Sequence, residues 1–219
     1  MARPAGQDTK ETRARILDTA LDEFAAKGFD GARLDAIVEA CGFNVNTIYY
    51  HFGSKEALFV AVMEEAYRKI RAEHRELELA ELPPEEAIAR LSRHIFRIFM
   101  NDQRLVALLD SENLHRAAHI EKSDRIRGMY DGIIDAIAGI LAEGVTAGVF
   151  QPGVDARELF ITISALGYFY VSNQYTLSVI LDERLDEPAR IARREDHVVA
   201  VVLGYLRDRA PGISDIGSA

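Results

Sequence analysis

Apolar residues recur at helical spacing through almost the whole chain, and strand-like alternation is scarce, so the pattern predicts an all-α protein. Ile16, Leu17, Ala20, Leu21, Phe24 and Ala25 fall on one face of a first helix, which Asp8 and Glu11 open as a capping-box pair and Gly28 closes. Leu34, Ile37, Val38, Ala40 and Cys41 mark a short second helix. Gly42 offers the left-handed conformation that ends it, and Asn44 is an N-cap for a third helix anchored by Ile48 and Phe52. Ser54 caps a fourth helix, with Glu56 in its first turn and Leu58, Val62, Ala66 and Ile70 on its apolar line toward Glu76. That length lets it bridge to whatever follows.

Pro83-Pro84 is the clearest boundary, because the residue before a proline is pushed out of helical geometry while Pro84 suits the first turn of a new helix. Beyond it the pattern predicts helices from 84 to about 100, from about 102 to 119, and from 123 to about 147. Gly148 to Gly153 interrupts the chain, and Asp155 with Glu158 opens a helix to about Leu181. Pro188 introduces the last helix, which stops before Pro211-Gly212, and the ends, Met1–Gln7 and Ile213–Ala219, are expected to be mobile. The segment from Leu159 to Leu181 is apolar on nearly every side, and the last helix carries Val198, Val199, Val201, Val202, Leu203, Tyr205 and Leu206. Both therefore pack on two faces, one inside their own domain and one against a second subunit, as in an intersubunit four-helix bundle.

A short helix, a Gly-containing turn and a second short helix form the layout that presents a reading helix to the DNA major groove. The residues on offer from Val45 to His51 carry amide, hydroxyl and imidazole groups, and no carboxylate occurs between Cys41 and Ser54. Lys55 stands at the entrance of the fourth helix, placed to meet a phosphate. On spacing alone the same pattern also describes an ordinary corner between two helices.

The run from Arg13 to Phe59 resembles the TetR/AcrR family of bacterial regulators, through Phe24, Gly28-Phe29, Ile37, Gly42, Thr47, the Tyr49-Tyr50-His51-Phe52 run and Ser54-Lys55-Glu56 at matching spacings. The resemblance implies an N-terminal three-helix helix-turn-helix DNA-binding domain plus a larger helical ligand-binding and dimerisation domain, in a homodimer that matches a palindromic operator. With the boundaries above this gives 1–54 as the DNA-binding domain, 55–82 as a linking helix and 83–219 as the ligand-binding and dimerisation domain. It further implies that Thr47, Tyr49, His51 and Lys55 contact phosphates and that Val45 and Asn46 approach base edges, Asn46 pairing with adenine. Asn44 and Tyr50 complete the set, Tyr50 as contact or as packing. Arg33 departs from the family's usual hydroxyl residue at the start of the second helix, losing a cap and offering a guanidinium to the DNA backbone.

Charge qualifies this picture. The 219 residues carry a net −9, and residues 1–60 hold seven Lys/Arg against nine Asp/Glu, so DNA attraction has to come from position. Arg3, Lys10, Arg13, Arg15, Arg33, His51 and Lys55 supply it, while Asp18, Asp22 and Glu23 have to face elsewhere. A composition of 48% hydrophobic and 28% charged residues is that of a soluble globular protein. No membrane span or signal peptide is expected, and a single cysteine, Cys41, in an apolar face fits a reducing cytoplasm.

No nucleophile elbow, Gly-rich phosphate loop or zinc-protease motif is present, so neither an enzyme nor a cofactor is indicated. His115 and His119, four apart in a predicted helix with Glu112 one turn earlier, have a spacing that can hold a metal but lack a further ligand cluster, so no metal site is expected. Buried Tyr and Asn side chains need partners, which a ligand can supply, and His94, Asn113, Tyr130, Tyr168 and Asn173 are the candidate pocket residues. The expected protein is a ligand-responsive transcriptional regulator, a repressor released from its operator by a small-molecule effector. An activator or a partner-regulated DNA-binding protein is the alternative, and a helical enzyme or carrier a more distant one.

Overall fold

The computed structural model describes residues 5–207, with side chains from Thr9 onward. These residues form ten α-helices, two short 3-10 turns and no strand. The helices are α1 (Ala5–Gly31), α2 (Leu34–Cys41), α3 (Val45–Phe52), α4 (Lys55–Arg75), α5 (Pro84–Asn101), α6 (Gln103–Leu114), α7 (Asp131–Thr146), α8 (Ala156–Ser172), α9 (Gln174–Leu181) and α10 (Pro188–Arg207). The starts of α5 and α10 at Pro84 and Pro188 follow the sequence reading. Helix α1 begins ahead of Asp8, so Asp8 lies inside the helix rather than at its cap, and Ala5–Gln7 are helical rather than part of a loose end. The rest of that end, the Ile213–Ala219 end and Pro211-Gly212 lie outside the described residues.

Three helices are shorter than the periodicity predicts, and each has a local backbone reason. The helix expected over 102–119 stops at Leu114, because Arg116 and Ala117 both take positive φ, 57° and 64°. The helix expected from 123 starts only at Asp131, after a turn in which Gly128 has φ 68°. The run to Leu181 breaks at Asn173, whose φ of −109° and ψ of 6° leave the α region and separate α8 from α9. Asp155 does cap α8, accepting from Arg157 N–H at 2.8 Å and Glu158 N–H at 2.9 Å.

The chain forms two compact units. One comprises the chain up to His74 together with Asn101–Tyr130; the other comprises Arg75–Met100 together with the chain from Asp131 onward. In this grouping α6 and the turn after it, which lie within the expected 83–219 domain, fold with the N-terminal helices. The reason is visible in side chains: Arg104 on α6 pairs with Asp22 at 2.8 Å and Asp18 at 3.6 Å, and Ser111 Oγ accepts from Phe29 N–H at 3.2 Å. The apolar spacing of α6 announces a buried face but not which neighbour covers it.

The first unit is built on one core of Ile16, Ala20, Phe24, Ile37, Cys41, Ile48, Leu58, Phe59, Met63 and Leu108. Phe24 and Phe59 meet edge to face with ring centres 4.9 Å apart, and Phe29 meets Phe59 likewise at 5.3 Å. Gly28, at φ 66° and ψ 177°, breaks α1 before its last residues, a conformation a side chain rarely adopts. In the second unit, α5 contributes Ile88, Leu91, Ile95 and Phe96, α7 contributes Ile133, Ile137 and Ile140, and α8 and α10 contribute Ile163, Val198 and Val202.

Candidate nucleic-acid interface

Helix α3 is fixed from below and at both ends. Ile48 is fully buried in the core, so the helix cannot roll about its axis without exposing it. At its start the Asn44 side-chain oxygen accepts from Thr47 N–H at 3.0 Å and from Thr47 Oγ1 at 3.3 Å. Before it, Gly42 takes φ 69° and ψ 23°, and its N–H donates to Val38 O at 3.0 Å, which ends α2 within one residue. Beyond α3, Ser54 Oγ accepts from Ala57 N–H at 3.0 Å and opens α4. An eight-residue helix has little intrinsic stability, so these caps and the Ile48 anchor hold it.

The outer face is polar and lacks carboxylates. Asn46 is exposed, Tyr50 is 82% exposed and Tyr49 is 49% exposed, while Val45, Thr47 and His51 are half-buried. The exposure of Tyr50 removes the packing option within this chain. His51 stands edge to face with Tyr50 at 5.1 Å. The core beneath is closed by cation–π contacts: the Arg13 guanidinium lies 5.2 Å from the Phe52 ring centre and that of Arg15 5.4 Å from Phe43.

Three acids of α1 have partners of their own. Asp18 and Asp22 face Arg104 of α6, and Glu23 Oε1 accepts the Arg33 backbone N–H at 3.1 Å. That last contact also supplies, from α1, an acceptor at the α2 N-terminus, where Arg33 makes no side-chain cap. The Arg33 guanidinium stands in solvent 3.8 Å from Asp35. Lys55 Nζ donates to Asp30 O at 3.3 Å and lies 4.9 Å from the Phe29 ring centre, so its ammonium is held beside the end of α1. Glu56 in the first turn of α4 pairs with Lys122, which holds its carboxyl below the usual range.

Below this head, Glu112 and His119 form a buried pair. The Glu112 carboxylate accepts from His119 Nδ1 at 2.7 Å, from His119 N–H at 2.9 Å and from Ile120 N–H at 3.0 Å. The His119 ring packs against Phe29, with centres 4.1 Å apart, and against Phe59 at 4.9 Å. His115 and His119 are thus not one turn apart on a helix; α6 has ended between Glu112 and His115, and no group of three or more His, Cys, Asp or Glu among the described residues could hold a metal ion. Cys41 is buried in the core of the head, its thiol 3.6 Å from Val38 O.

The five candidate pocket residues divide between the two units. Asn113, exposed on α6, and Tyr130 belong to the first unit, where Tyr130 meets Tyr67 edge to face at 5.7 Å and burial raises its hydroxyl pKa. His94, Tyr168 and Asn173 belong to the second unit. His94 is half-buried on α5, and desolvation lowers its pKa. Tyr168 packs edge to face on Phe99 at 5.5 Å, and Asn173 Nδ2 donates to Phe169 O at 3.0 Å, closing the end of α8. The second unit contains a cleft of 320 Å³ beside α8, α9 and α10, lined by Phe169, Tyr170, Leu177, Leu185, Arg193 and Arg194 among others, and none of the five borders it. Arg190, Arg193 and Arg194 form a basic run on one helical face that is visible in the sequence.

Two short helices, α2 and α3, joined by the Gly42 turn, with the outer face of the second left open, have the layout of the helix-turn-helix class. Residues 16–62 match the bacterial regulatory proteins of the tetR family, and residues 84–202 match the tetracyclin repressor-like C-terminal domain. The chain belongs to the tetR family of transcriptional regulators. It is 33% identical over 175 residues to the HTH-type transcriptional repressor NicS of Pseudomonas putida, covering 80% of this chain and 82% of that one. It is 26% identical over 204 residues to the HTH-type transcriptional regulator RutR of Escherichia coli, covering 89% and 90%. Among solved structures, the transcriptional regulator SCO4942 of Streptomyces coelicolor superposes with a TM-score of 0.66 at 22% identity, over 90% of this chain and 99% of that one. The regulator FadR of Bacillus subtilis in complex with stearoyl-CoA gives 0.64 at 19%, over 88% and 98%. No helix among the described residues is long and apolar enough to cross a membrane.

Proposed function

We propose that this chain is a homodimeric repressor that holds a palindromic operator through α3 and releases it when a small-molecule effector binds the second unit. The observation that carries the reading is the outward face of α3: Asn46, Tyr49 and Tyr50 stand in solvent on a helix locked by Ile48, and no acid lies among them. Asn46 and Val45 approach base edges; Thr47, Tyr49, Tyr50, His51 and Lys55 lie along the backbone phosphates; Asn44 sets the helix start; and Arg33 reaches a phosphate at the flank. Lys55 exchanges the Asp30 carbonyl for a phosphate on binding. The name of the relative NicS supports repression as the sign, and the stearoyl-CoA held by the FadR neighbour supports a small-molecule effector.

An exposed apolar stripe supports the dimer. Ile161 on α8, 56% exposed, and Val201 and Tyr205 on α10 are exposed apolar side chains on the two helices that also bury Ile163, Val198 and Val202. Two copies joining these helices make a four-helix bundle, and a palindromic operator offers its two half-sites about one DNA turn apart, roughly 34–36 Å. The chain passes between the two units at His74–Arg75, Met100–Asn101 and Tyr130–Asp131, so an effector that distinguishes two arrangements of the second unit has three covalent routes to the head.

Fluorescence anisotropy of a labelled duplex from the DNA upstream of the gene tests the reading. Saturable binding that weakens steeply with salt and falls further in Tyr49→Ala supports it. Binding that Tyr49→Ala and Lys55→Ala both leave intact overturns it.

A further inference from the structure

The cleft of the second unit has a chemistry of its own. Phe169, Leu177, Leu181 and Leu185 give it apolar walls, and Arg190, Arg193, Arg194 and His197 bring four basic side chains from one face of α10, at i, i+3, i+4 and i+7. No carboxylate lines it, in a chain with a net charge of −9. Of the acids nearby in sequence, Glu183 pairs with the cleft's own Arg190 and so neutralises that cation, while Asp186 pairs with Arg184 and Glu195 with Arg97 at 2.7 Å. Its wall is firm, because Tyr170 Oη donates to Leu185 O at 2.7 Å and Leu185 N–H donates to Ser178 Oγ at 3.2 Å, tying the segment after α9 to α8.

Two cations remain for a ligand. Arg194 lies over the Tyr170 ring at 5.5 Å and donates one terminal N–H to Leu166 O at 2.9 Å, yet its Nε is sealed from solvent without a hydrogen-bond partner. A buried guanidinium nitrogen left unpaired is costly, and its presence at the edge of a cleft marks a place for an acceptor. Arg193, exposed one residue earlier on the same rim, makes no ion pair among the described residues. The 420 Å³ cavity of the first unit differs in holding two carboxylates among its arginines, Glu65 paired with Arg68 at 2.7 Å and Glu64 with Arg125 at 3.2 Å.

We propose that this cleft binds a small amphipathic monocarboxylate, its carboxylate held by Arg193 and Arg194 and its apolar chain or ring seated on Phe169, Leu177, Leu181 and Leu185. The volume of 320 Å³ suits a single ring or a medium-length chain, at the lower end of the range of about 300–1,000 Å³ for ligand pockets. Binding is inferred from the cleft alone; that the bound acid is the effector rests on the ligand-responsive reading above.

Isothermal titration of the full-length protein with octanoate and with 4-phenylbutyrate, and with octan-1-ol as the uncharged control, tests the site. The proposal predicts saturable binding of at least one acid, octan-1-ol weaker by about tenfold or more, and a loss of about tenfold or more in each of Arg193→Ala and Arg194→Gln. Arg193→Ala removes an exposed side chain and keeps the test valid should Arg194→Gln fail to fold. Two results overturn it: no binding of either acid, as when a second protomer covers the cleft, or acid binding that Arg193→Ala leaves unchanged. Adding the bound acid to the anisotropy assay separates the two readings. Unchanged operator affinity with intact acid binding contradicts the effector role and leaves the site standing.

Discussion

Removing the Glu112 carboxylate should weaken the head more than any surface change of similar size. Glu112 is 3% exposed and His119 5%, and one carboxylate accepts three hydrogen bonds there, two from backbone N–H groups and one from the imidazole. Those bonds hold the turn in which Arg116 and Ala117 take left-handed φ, a conformation that costs roughly 1–2 kcal/mol per non-glycine residue. Glu112→Ala strands two backbone donors and the imidazole together, and each unpaired buried donor costs about 1–3 kcal/mol. Water entering the vacated space recovers part of that, so a loss of about 3–5 kcal/mol is expected, the range for breaking a buried pair. Against a whole-protein stability of about 5–15 kcal/mol this is about a fifth or more. Glu112→Gln keeps an acceptor for the backbone donors and should lose less. With no tryptophan in the chain, urea denaturation followed by far-ultraviolet circular dichroism is the assay. A loss below about 1 kcal/mol for Glu112→Ala, the size of an exposed ion pair, would refute the reasoning.

Asn44→Ala removes the cap that Thr47 N–H and Oγ1 both use, and should cost about 1 kcal/mol and weaken operator binding, measured by urea melts and anisotropy; unchanged values would contradict the role of the cap. His115 has Nδ1 2.8 Å from Ser111 O and Nε2 3.1 Å from Asp30, and those two acceptors raise its pKa above 6.5 in the folded state. Its contribution is therefore complete below pH 6.5 and is lost as pH rises through the higher folded value. Subtracting the pH–stability curve of His115→Gln from that of the wild type should give a difference that declines in that window, and one that grows would contradict it. Ile161→Glu and Val201→Glu place charges on the exposed apolar stripe and should yield monomers in light scattering while the helical circular dichroism signal persists; retained dimers would move the interface elsewhere.

What was legible in the sequence was local chemistry. Gly42, Asn44 and Ser54 each announced the end or beginning of a helix, and all three act as read, because a cap is decided within four residues. Asp155 was legible for the same reason. Partnership across the chain was not. Nothing in the spacing of Leu105, Val106 and Leu108 says that α6 belongs with α1, since an apolar stripe specifies burial and not the neighbour. The end of α6 was hidden too, because Arg116 and Ala117 are unremarkable helix formers held in left-handed geometry by a carboxylate and backbone donors that tertiary folding brings together. The candidate pocket residues were chosen for polarity within apolar runs. His94, Tyr168 and Asn173 lie within one unit, Asn113 and Tyr130 within the other, and the cleft is marked by arginines on the last helix, whose apolar residues alone suggest packing.

Selection of duplexes from a random pool, run in parallel with the wild type and with Asn46→Ala, tests the claim about α3 most directly. If α3 reads the major groove twice over, the wild type selects two inverted half-sites centred about ten base pairs apart, and Asn46→Ala loses its preference at one base pair in each half-site while keeping the rest. Identical selected sequences from the two proteins, or a single unpaired site, would contradict the account.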